Sequence, residues 1–92
     1  MKTIWKYTLG KRTSATLQMP LKAKILCVQV QGNEPMIWAE VDDSLPMENR
    51  VFLTIGTGWP IEEQDKTYVG TYQLQGGALV FHVFERYTFN AD

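Results

Sequence analysis

Short segments of β-branched and aromatic residues, each ended by glycine, proline, asparagine or aspartate, follow one another along most of the chain. This pattern is typical of strands joined by turns, and no long segment has the periodicity of an amphipathic helix. The spacing of the segments, about 8–12 residues, is that of a small sandwich or barrel. We therefore predict an all-β fold, a compact sandwich or barrel-like antiparallel sheet of about seven short strands, at residues 2–9, 13–19, 24–31, 36–41, 50–57, 67–75 and 78–89.

Two turns indicate which of these strands pair. Gly32-Asn33-Glu34-Pro35 separates the strand at residues 24–31 from its predicted antiparallel partner, and Gly76-Gly77 is the strongest hairpin signal in the chain. In the strand at residues 24–31, simple alternation places Leu26 and Val28 on the same apolar face.

A chain of 92 residues has room for one domain, and residues 1–92 are assigned to it. A domain of this size buries only about 60–65% of the surface of its unfolded chain, so a monomer is marginally stable. The last predicted strand is apolar on both faces, and so is the strand around Trp38. Such strands lie either in the centre of a packed core or against another subunit. We predict a homo-oligomer with the interface residues Val80, His82, Phe84 and Trp38.

The charges are unevenly distributed, although the formal net charge is only −1. Residues 1–24 carry six basic and no acidic side chains, whereas residues 25–92 carry three basic and all ten acidic ones. This division indicates an anion-binding edge, mutually attractive surfaces of neighbouring subunits, or lysines that protect edge strands. A net acidic chain without a long basic helix is a poor partner for duplex DNA. No apolar run reaches the roughly 18 residues of a membrane span and no signal peptide is recognisable, so we expect no membrane association.

Residue types that carry out catalysis are scarce. One cysteine and one histidine exclude a disulfide framework and a Cys/His zinc site within one chain. His82 is interpreted as a histidine at a core edge or an interface, and Cys27 as an ordinary small residue. The carboxylates form solvated acidic loops. The loop at Glu62–Asp65 is either a lid over a ligand or a surface loop without a role in binding. We predict no catalytic residue, no metal site and no cofactor.

One turn combines features that suit a small anionic ligand. The backbone amides of a Gly-Thr-Gly turn can cradle an anion, and a tryptophan and a proline follow directly. A stacking ring, backbone donors and a nearby cation together fit a nucleotide. The alternative is a plain strand-terminating turn whose tryptophan packs over the core. The predicted ligand-binding residues are Trp59, Gly56, Thr57, Gly58, Arg50 and Lys66.

Several short blocks in a fixed order resemble a known family. They include TIWKY at residues 3–7, AKILCVQVQ at 23–31, GTGWPI at 56–61, YVGT at 68–71 and GGALVFHVF at 76–84. Through these blocks, nearly the whole chain is similar to a family of small tailed-phage and prophage proteins, known mainly as a domain of unknown function. That family usually has glycine in place of Lys22 and often histidine in place of Trp59. The resemblance implies expression in the cytoplasm of an infected bacterial host, and it supplies no catalytic residue.

These observations lead to one functional hypothesis and its alternatives. We expect a non-enzymatic phage accessory protein, a homo-oligomeric binder of a small anionic ligand held between subunits, which sequesters a nucleotide immune signal of the host. The alternatives are a protein–protein inhibitor of a host factor, a small structural phage component, and a single-stranded nucleic-acid binder that stacks bases on Trp5 and Trp38.

Overall fold

The computed structural model describes residues 1–87 as seven strands and one 3-10 turn. The β-branched and aromatic segments form the strands, and glycine- or proline-containing segments connect them. In chain order the strands are β1 (Lys2–Thr8), β2 (Ser14–Pro20), β3 (Lys24–Gln31), β4 (Glu34–Asp42), β5 (Met47–Gly56), β6 (Lys66–Leu74) and β7 (Leu79–Arg86). Within these 87 residues, no helix has the length and apolar character needed to cross a membrane.

The strands pair antiparallel and form two sheets. β4 is the centre of a three-stranded sheet in the order β1-β4-β3, and the four-stranded sheet has the order β2-β5-β7-β6. The inner faces meet in a core that includes the fully buried Ile37 and Val41 from one sheet and Phe52 and Val83 from the other. The prediction of an all-β fold, a compact sandwich or barrel-like antiparallel sheet of about seven short strands, is confirmed, and the strands form two sheets.

The order of the four-stranded sheet determines where its connections run. Because β5 and β6 each pair antiparallel with β7, they run parallel to each other. Residues 57–65 therefore return from one end of this sheet to the other. The connection between β6 and β7 is a tight turn instead, in which Gln75, Gly76 and Gly77 have φ values of 53°, 64° and 95°. This turn closes the predicted hairpin.

Two strands begin two or three residues earlier than the sequence predicts. β4 begins at Glu34 because Gly32 and Asn33, with φ values of 58° and 67°, make a two-residue turn of the type that suits a hairpin. β5 begins at Met47, where it pairs with the end of β2. β7 is described to Arg86, and its predicted end at residue 89 lies outside the described residues.

A β-bulge reverses the alternation of side chains in β3. The register between β3 and β4 shifts between Ile25 and Cys27, so Leu26 is the extra residue. Leu26 is 42% exposed, whereas Val28 is buried and Ile25 packs against the core. The prediction that Leu26 shares the face of Val28 is therefore wrong, because one additional residue turns the preceding side chains to the other face.

Tyr7→Phe is expected to raise the free energy of unfolding by about 1 kcal/mol. The Tyr7 hydroxyl is buried and has no hydrogen-bond partner among the described residues. Burial raises the pKa of this hydroxyl, and the nearby Arg50 partly offsets the rise. Removal of an unpartnered hydroxyl removes its desolvation cost. Urea unfolding measures the gain, with the exposed Tyr87→Phe as the control that leaves stability unchanged. A loss of stability in Tyr7→Phe would show that an ordered water pairs with the hydroxyl.

Candidate ligand-binding site

A cleft opens at the end of the sandwich where β5 ends and where the β6–β7 turn lies. Its volume is about 250 Å³, and the β1–β2 loop and the segment after β5 both contribute to its rim. The lining residues are Lys11, Arg12, Thr13, Thr54, Trp59, Tyr72, Leu74, Gln75, Leu79 and Phe81. Aromatic, cationic and hydroxyl side chains thus share one small cavity.

Three aromatic side chains form the apolar part of the cleft. Phe81 on β7 pairs with Tyr72 on β6, and their rings stack with centroids 5.4 Å apart. Trp59 meets Phe81 edge to face, with centroids 5.9 Å apart and ring planes at 77°. Both arrangements are favourable for aromatic pairs. Tyr72 is buried, whereas Trp59 is 50% exposed, so the indole is the aromatic surface that a ligand can reach.

The Trp59 side chain packs directly on Gly56. A Cβ atom at position 56 would lie 2.6 Å from Cε2, 2.9 Å from Nε1 and 3.0 Å from Cδ2 of the indole. Because Cε2 and Cδ2 are the ring-fusion atoms, close approach to both places one face of the indole on the Gly56 backbone. The Trp59 amide also donates a hydrogen bond to the Gly56 carbonyl oxygen, at 3.0 Å. The missing side chain of Gly56 therefore determines where the indole lies.

Lys11 and Arg12 supply positive charge at the rim of the cleft. Among residues 1–87, no Asp or Glu lines the cleft, and neither cation forms a salt bridge. Two other basic residues of the N-terminal stretch lie opposite acids in the strand register, in the pairs Lys2↔Asp42 and Lys24↔Glu40. Oppositely charged cross-strand neighbours compensate each other. The basic excess is thus compensated at the far end of the sandwich and uncompensated at the cleft.

Two hydroxyl groups lie at the base of the cleft. Thr54 is 6% exposed, and its Oγ1 is buried without a hydrogen-bond partner among the described residues. Burial raises the pKa of the Tyr72 hydroxyl, and the nearby Thr54 hydroxyl partly offsets this rise, although the two groups do not form a hydrogen bond of ordinary geometry. The base of the cleft is therefore polar, whereas its wall is aromatic.

The Gly-Thr-Gly turn does not present a row of free amides. The Thr57 amide donates a hydrogen bond to the Val80 carbonyl oxygen at 3.1 Å. The Trp59 amide donates one to the Gly56 carbonyl oxygen. The Thr57 hydroxyl lies 3.2 Å from the same carbonyl oxygen and 2.8 Å from His82 Nε2. Of the residues in the predicted anion cradle, Gly56 shapes the cleft through the indole, and Thr57 is bound to β7.

Arg50 and Lys66 lie far from the cleft. Gly56 pairs with Phe81, whereas Lys66 pairs with Arg86, five residues and roughly 17 Å further along β7. Arg50 precedes Gly56 by six residues on β5, which is roughly 20 Å of extended chain. The structure therefore does not bring the two predicted phosphate ligands to the tryptophan, because the connection between β5 and β6 spans the length of the sheet.

Arg50 is also bound within the fold. Its Nε and Nη2 donate to the two carboxylate oxygens of Glu85, at 2.6 and 2.8 Å, and its Nη1 donates to the Ala23 carbonyl oxygen at 2.6 Å. The hydrogen bonds to Glu85 raise the pKa of the Arg50 guanidinium. Lys66 Nζ donates to the Glu62 carbonyl oxygen at 3.1 Å. The ion pair between Arg50 and Glu85 links β5 and β7, away from the cleft.

The predicted interface residues lie on two opposite outer faces. Val80, His82 and Phe84 alternate with the buried Val83, so they point out of the four-stranded sheet. Trp38 alternates with buried residues of β4 and points out of the three-stranded sheet. One flat contact surface cannot include all four side chains. The structure groups three of them and separates Trp38.

His82 is held by hydroxyl groups on both sides of its ring. Nε2 lies 2.8 Å from the Thr57 hydroxyl and Nδ1 lies 3.0 Å from the Thr71 hydroxyl, which also contacts the Tyr68 hydroxyl. Each of these hydroxyl groups can donate or accept a hydrogen bond, so either neutral tautomer of His82 has a partner for both ring nitrogens. Both ring nitrogens are therefore occupied within the fold.

Nine of the ten lining residues are absent from the predicted ligand-binding set, and they include Lys11, Arg12, Tyr72 and Phe81. Tyr72 and Phe81 flank the predicted hairpin turn in register, so the hairpin alone indicates that they are neighbours. The two cations stand in a turn, where the sequence shows their charge but not which loop they face. Contacts between loops depend on how the two sheets pack, and this packing cannot be predicted from short segments of the sequence.

The fold and the cleft define a class of protein: a small antiparallel β-sandwich with an aromatic, cation-rimmed cleft at one end. Within that class, the chain belongs to a family described as a domain of unknown function, DUF7352, whose model matches residues 1–92. Comparison with curated proteins and with solved structures gave no match. Membership of a family of unknown function over the whole chain is thus confirmed, and the phage origin stays a prediction.

Proposed function

We propose that the chain is a non-enzymatic binding module that holds a small anionic ligand in the cleft. The lining of the cleft carries this proposal, because it combines an exposed indole with two cations and no carboxylate. Cations without acidic neighbours attract anions, and an aromatic wall favours a ligand with a planar ring. Lys11 and Arg12 take the role predicted for Arg50 and Lys66, whereas Trp59 keeps its predicted role.

A binding role fits the residue types better than catalysis does. The lining contains no histidine, cysteine or carboxylate, so it lacks the most common general acids and bases. His82 lies on an outer face with both ring nitrogens bound. In the part of the chain that the structure describes, no group of three His, Cys, Asp or Glu side chains is placed to hold a metal ion. These features support binding without turnover.

Phenyl phosphate is the first probe, because it joins one aromatic ring to one anion. We expect it to raise the melting temperature, since a ligand at about 100 times its Kd stabilises the folded state by about 2.7 kcal/mol. The double variant Lys11→Ala, Arg12→Ala should bind it about tenfold more weakly in isothermal titration calorimetry, because each cation contributes a charge-assisted hydrogen bond.

The variant Lys2→Ala, Lys24→Ala is the matched control, because it removes the same charge from the other end of the sandwich. It should bind phenyl phosphate as well as the wild type does. If both double variants bind phenyl phosphate equally weakly, its affinity depends on the net charge of the protein and the cleft is not its binding site. Failure of the wild-type protein to bind phenyl phosphate at millimolar concentration would overturn the proposal.

We also propose that the protein is a homo-oligomer that assembles through the outer face of the four-stranded sheet. On this face, Leu53 pairs with Phe84 and Ile55 pairs with His82. Val80 points the same way, and each of these side chains is only partly buried in the single chain. An apolar sheet face of this kind is typical of a subunit contact.

Phe84→Glu is expected to convert the assembly into monomers in sedimentation velocity experiments, because it places a charge inside an apolar contact. Trp38→Glu, on the opposite outer face, is the control and should leave the assembly intact. Far-ultraviolet circular dichroism verifies that both variants keep their β structure. A wild-type monomer at micromolar concentration, or dissociation in Trp38→Glu alone, contradicts this assignment.

The resemblance to phage proteins suggests a biological role for such binding. In the cytoplasm of an infected bacterium, a binder without turnover would sequester a nucleotide immune signal of the host. Native mass spectrometry of the protein from infected cells measures the subunit number and any retained nucleotide together. A retained host protein without any nucleotide would favour the alternative function, the inhibition of a host factor.

A further inference from the structure

We propose that the cleft takes a single free mononucleotide, with its base on the open face of Trp59 and its phosphate between Lys11 and Arg12. This inference rests on the proposed function, and it specifies the ligand as one nucleotide unit with its base and its phosphate at stated residues. Three features of the cleft lead to it: the position of the indole, the unpaired cations, and the charge and size of the surroundings.

The indole offers one stacking face. Its other face lies on Gly56, where the ring-fusion atoms come within 2.6 and 3.0 Å of the position of a Cβ atom. Gly56 and Phe81 are paired neighbours in the sheet, and the Phe81 ring is nearly perpendicular to the indole, so it does not stack on the indole in parallel. Trp59 is 50% exposed, which leaves its second face open. One open face accommodates one base.

The rim cations suit a terminal phosphate. The Arg12 guanidinium presents a planar set of donors that matches two phosphate oxygens, and Lys11 adds a second positive charge. A terminal phosphate carries up to two negative charges near neutral pH. The two cations and the absence of carboxylates from the lining together balance that charge.

Size and charge argue against a longer nucleic acid. Pockets of roughly 300–1,000 Å³ enclose one drug-sized ligand, so a cleft of about 250 Å³ has no room for several nucleotide units. Single-strand binders line the path of the backbone with a row of cations. Only two cations, Lys11 and Arg12, are among the described lining residues. Two cations suit one phosphate and not the backbone of a strand.

Calorimetric titrations with AMP, adenosine, inorganic phosphate and an adenine oligonucleotide test the inference. We expect AMP to bind about tenfold or more tightly than adenosine or phosphate alone, because only AMP uses both the indole and the cations. Trp59→Leu should weaken AMP binding about tenfold and leave phosphate binding unchanged, with Trp38→Leu as the matched control. The oligonucleotide should bind no more tightly per nucleotide than AMP.

The possible outcomes separate this inference from the proposed function. If phenyl phosphate binds as tightly as AMP, the cleft is an anion site without preference for a nucleotide, and only the inference fails. If the oligonucleotide binds much more tightly than AMP with a steep dependence on salt, the ligand is a nucleic-acid strand and the inference is overturned. If neither AMP nor phenyl phosphate binds, both the inference and the proposed function fail.

Discussion

Glu85→Ala is expected to lower the free energy of unfolding by about 3 kcal/mol and the melting temperature by about 12–24 °C. The substitution leaves the Arg50 guanidinium without its two-point partner at a place where that side chain is only 15% exposed. The hydrogen bond to the Ala23 carbonyl oxygen remains, but it does not neutralise the charge. Urea unfolding followed by tryptophan fluorescence measures the loss.

Two further variants identify the cause of this loss. Arg86→Ala removes an exposed neighbouring charge and should change stability by no more than about 0.5 kcal/mol. Arg50→Met combined with Glu85→Met removes both charges and should restore most of the stability, while leaving phenyl phosphate binding unchanged. If this double variant is as unstable as Glu85→Ala, packing and not an unpaired charge explains the loss. If this double variant binds phenyl phosphate more weakly than the wild type does, Arg50 takes part in ligand binding.

Gly56→Ala is expected to displace the Trp59 indole and to weaken phenyl phosphate binding about tenfold. The new Cβ would lie 2.6 Å from Cε2, whereas carbon atoms pack at about 3.5–4.0 Å. Pairing with Phe81 holds the backbone of Gly56 in the sheet, so the indole must move. Overpacking of this kind costs about 1–3 kcal/mol of stability. The indole N–H signal of Trp59 in a two-dimensional NMR spectrum reports the displacement, and calorimetry reports the binding.

A double-mutant cycle isolates the contact between Gly56 and Trp59. In a Trp59→Ala background no indole meets the new methyl group, so Gly56→Ala should cost at least about 1 kcal/mol less than it does in the wild type. Equal costs in both backgrounds would show that Gly56 is required for its backbone alone. An unchanged Trp59 signal in Gly56→Ala would show that the indole does not rest on this glycine.

The strands could be predicted from the sequence because their local signals agree. β3 has the predicted limits, and β6 and β7 form the hairpin predicted from Gly76-Gly77. The position of Leu26 could not be predicted, since a bulge is set by the pairing partner and alternation alone gives no sign of it. The early start of β5 has a similar origin: Glu48 and Asn49 are weak strand residues, and pairing with β2 extends the strand over them.

Only part of the cleft lining can be predicted from the sequence, for a similar reason. Trp59 lines the cleft and directly follows the Gly-Thr-Gly turn, so a local pattern indicates it. Arg50 and Lys66 flank the same segment, but strand order places them at the other end of the sheet. Lys11 and Arg12 come to the cleft through sheet packing, over more than 40 residues of sequence separation. Chemistry that depends on such long-range contacts leaves no local pattern.

Several paired strands are not consecutive in the chain, and this affects the folding rate. Only β3 with β4 and β6 with β7 are neighbours joined by tight turns, whereas β1 must find β4 and β2 must find β5 across intervening strands. Closing these large loops loses chain entropy before any contact compensates for it. Refolding after dilution from urea should therefore take milliseconds to seconds, with the two hairpins formed early and β2 docking late.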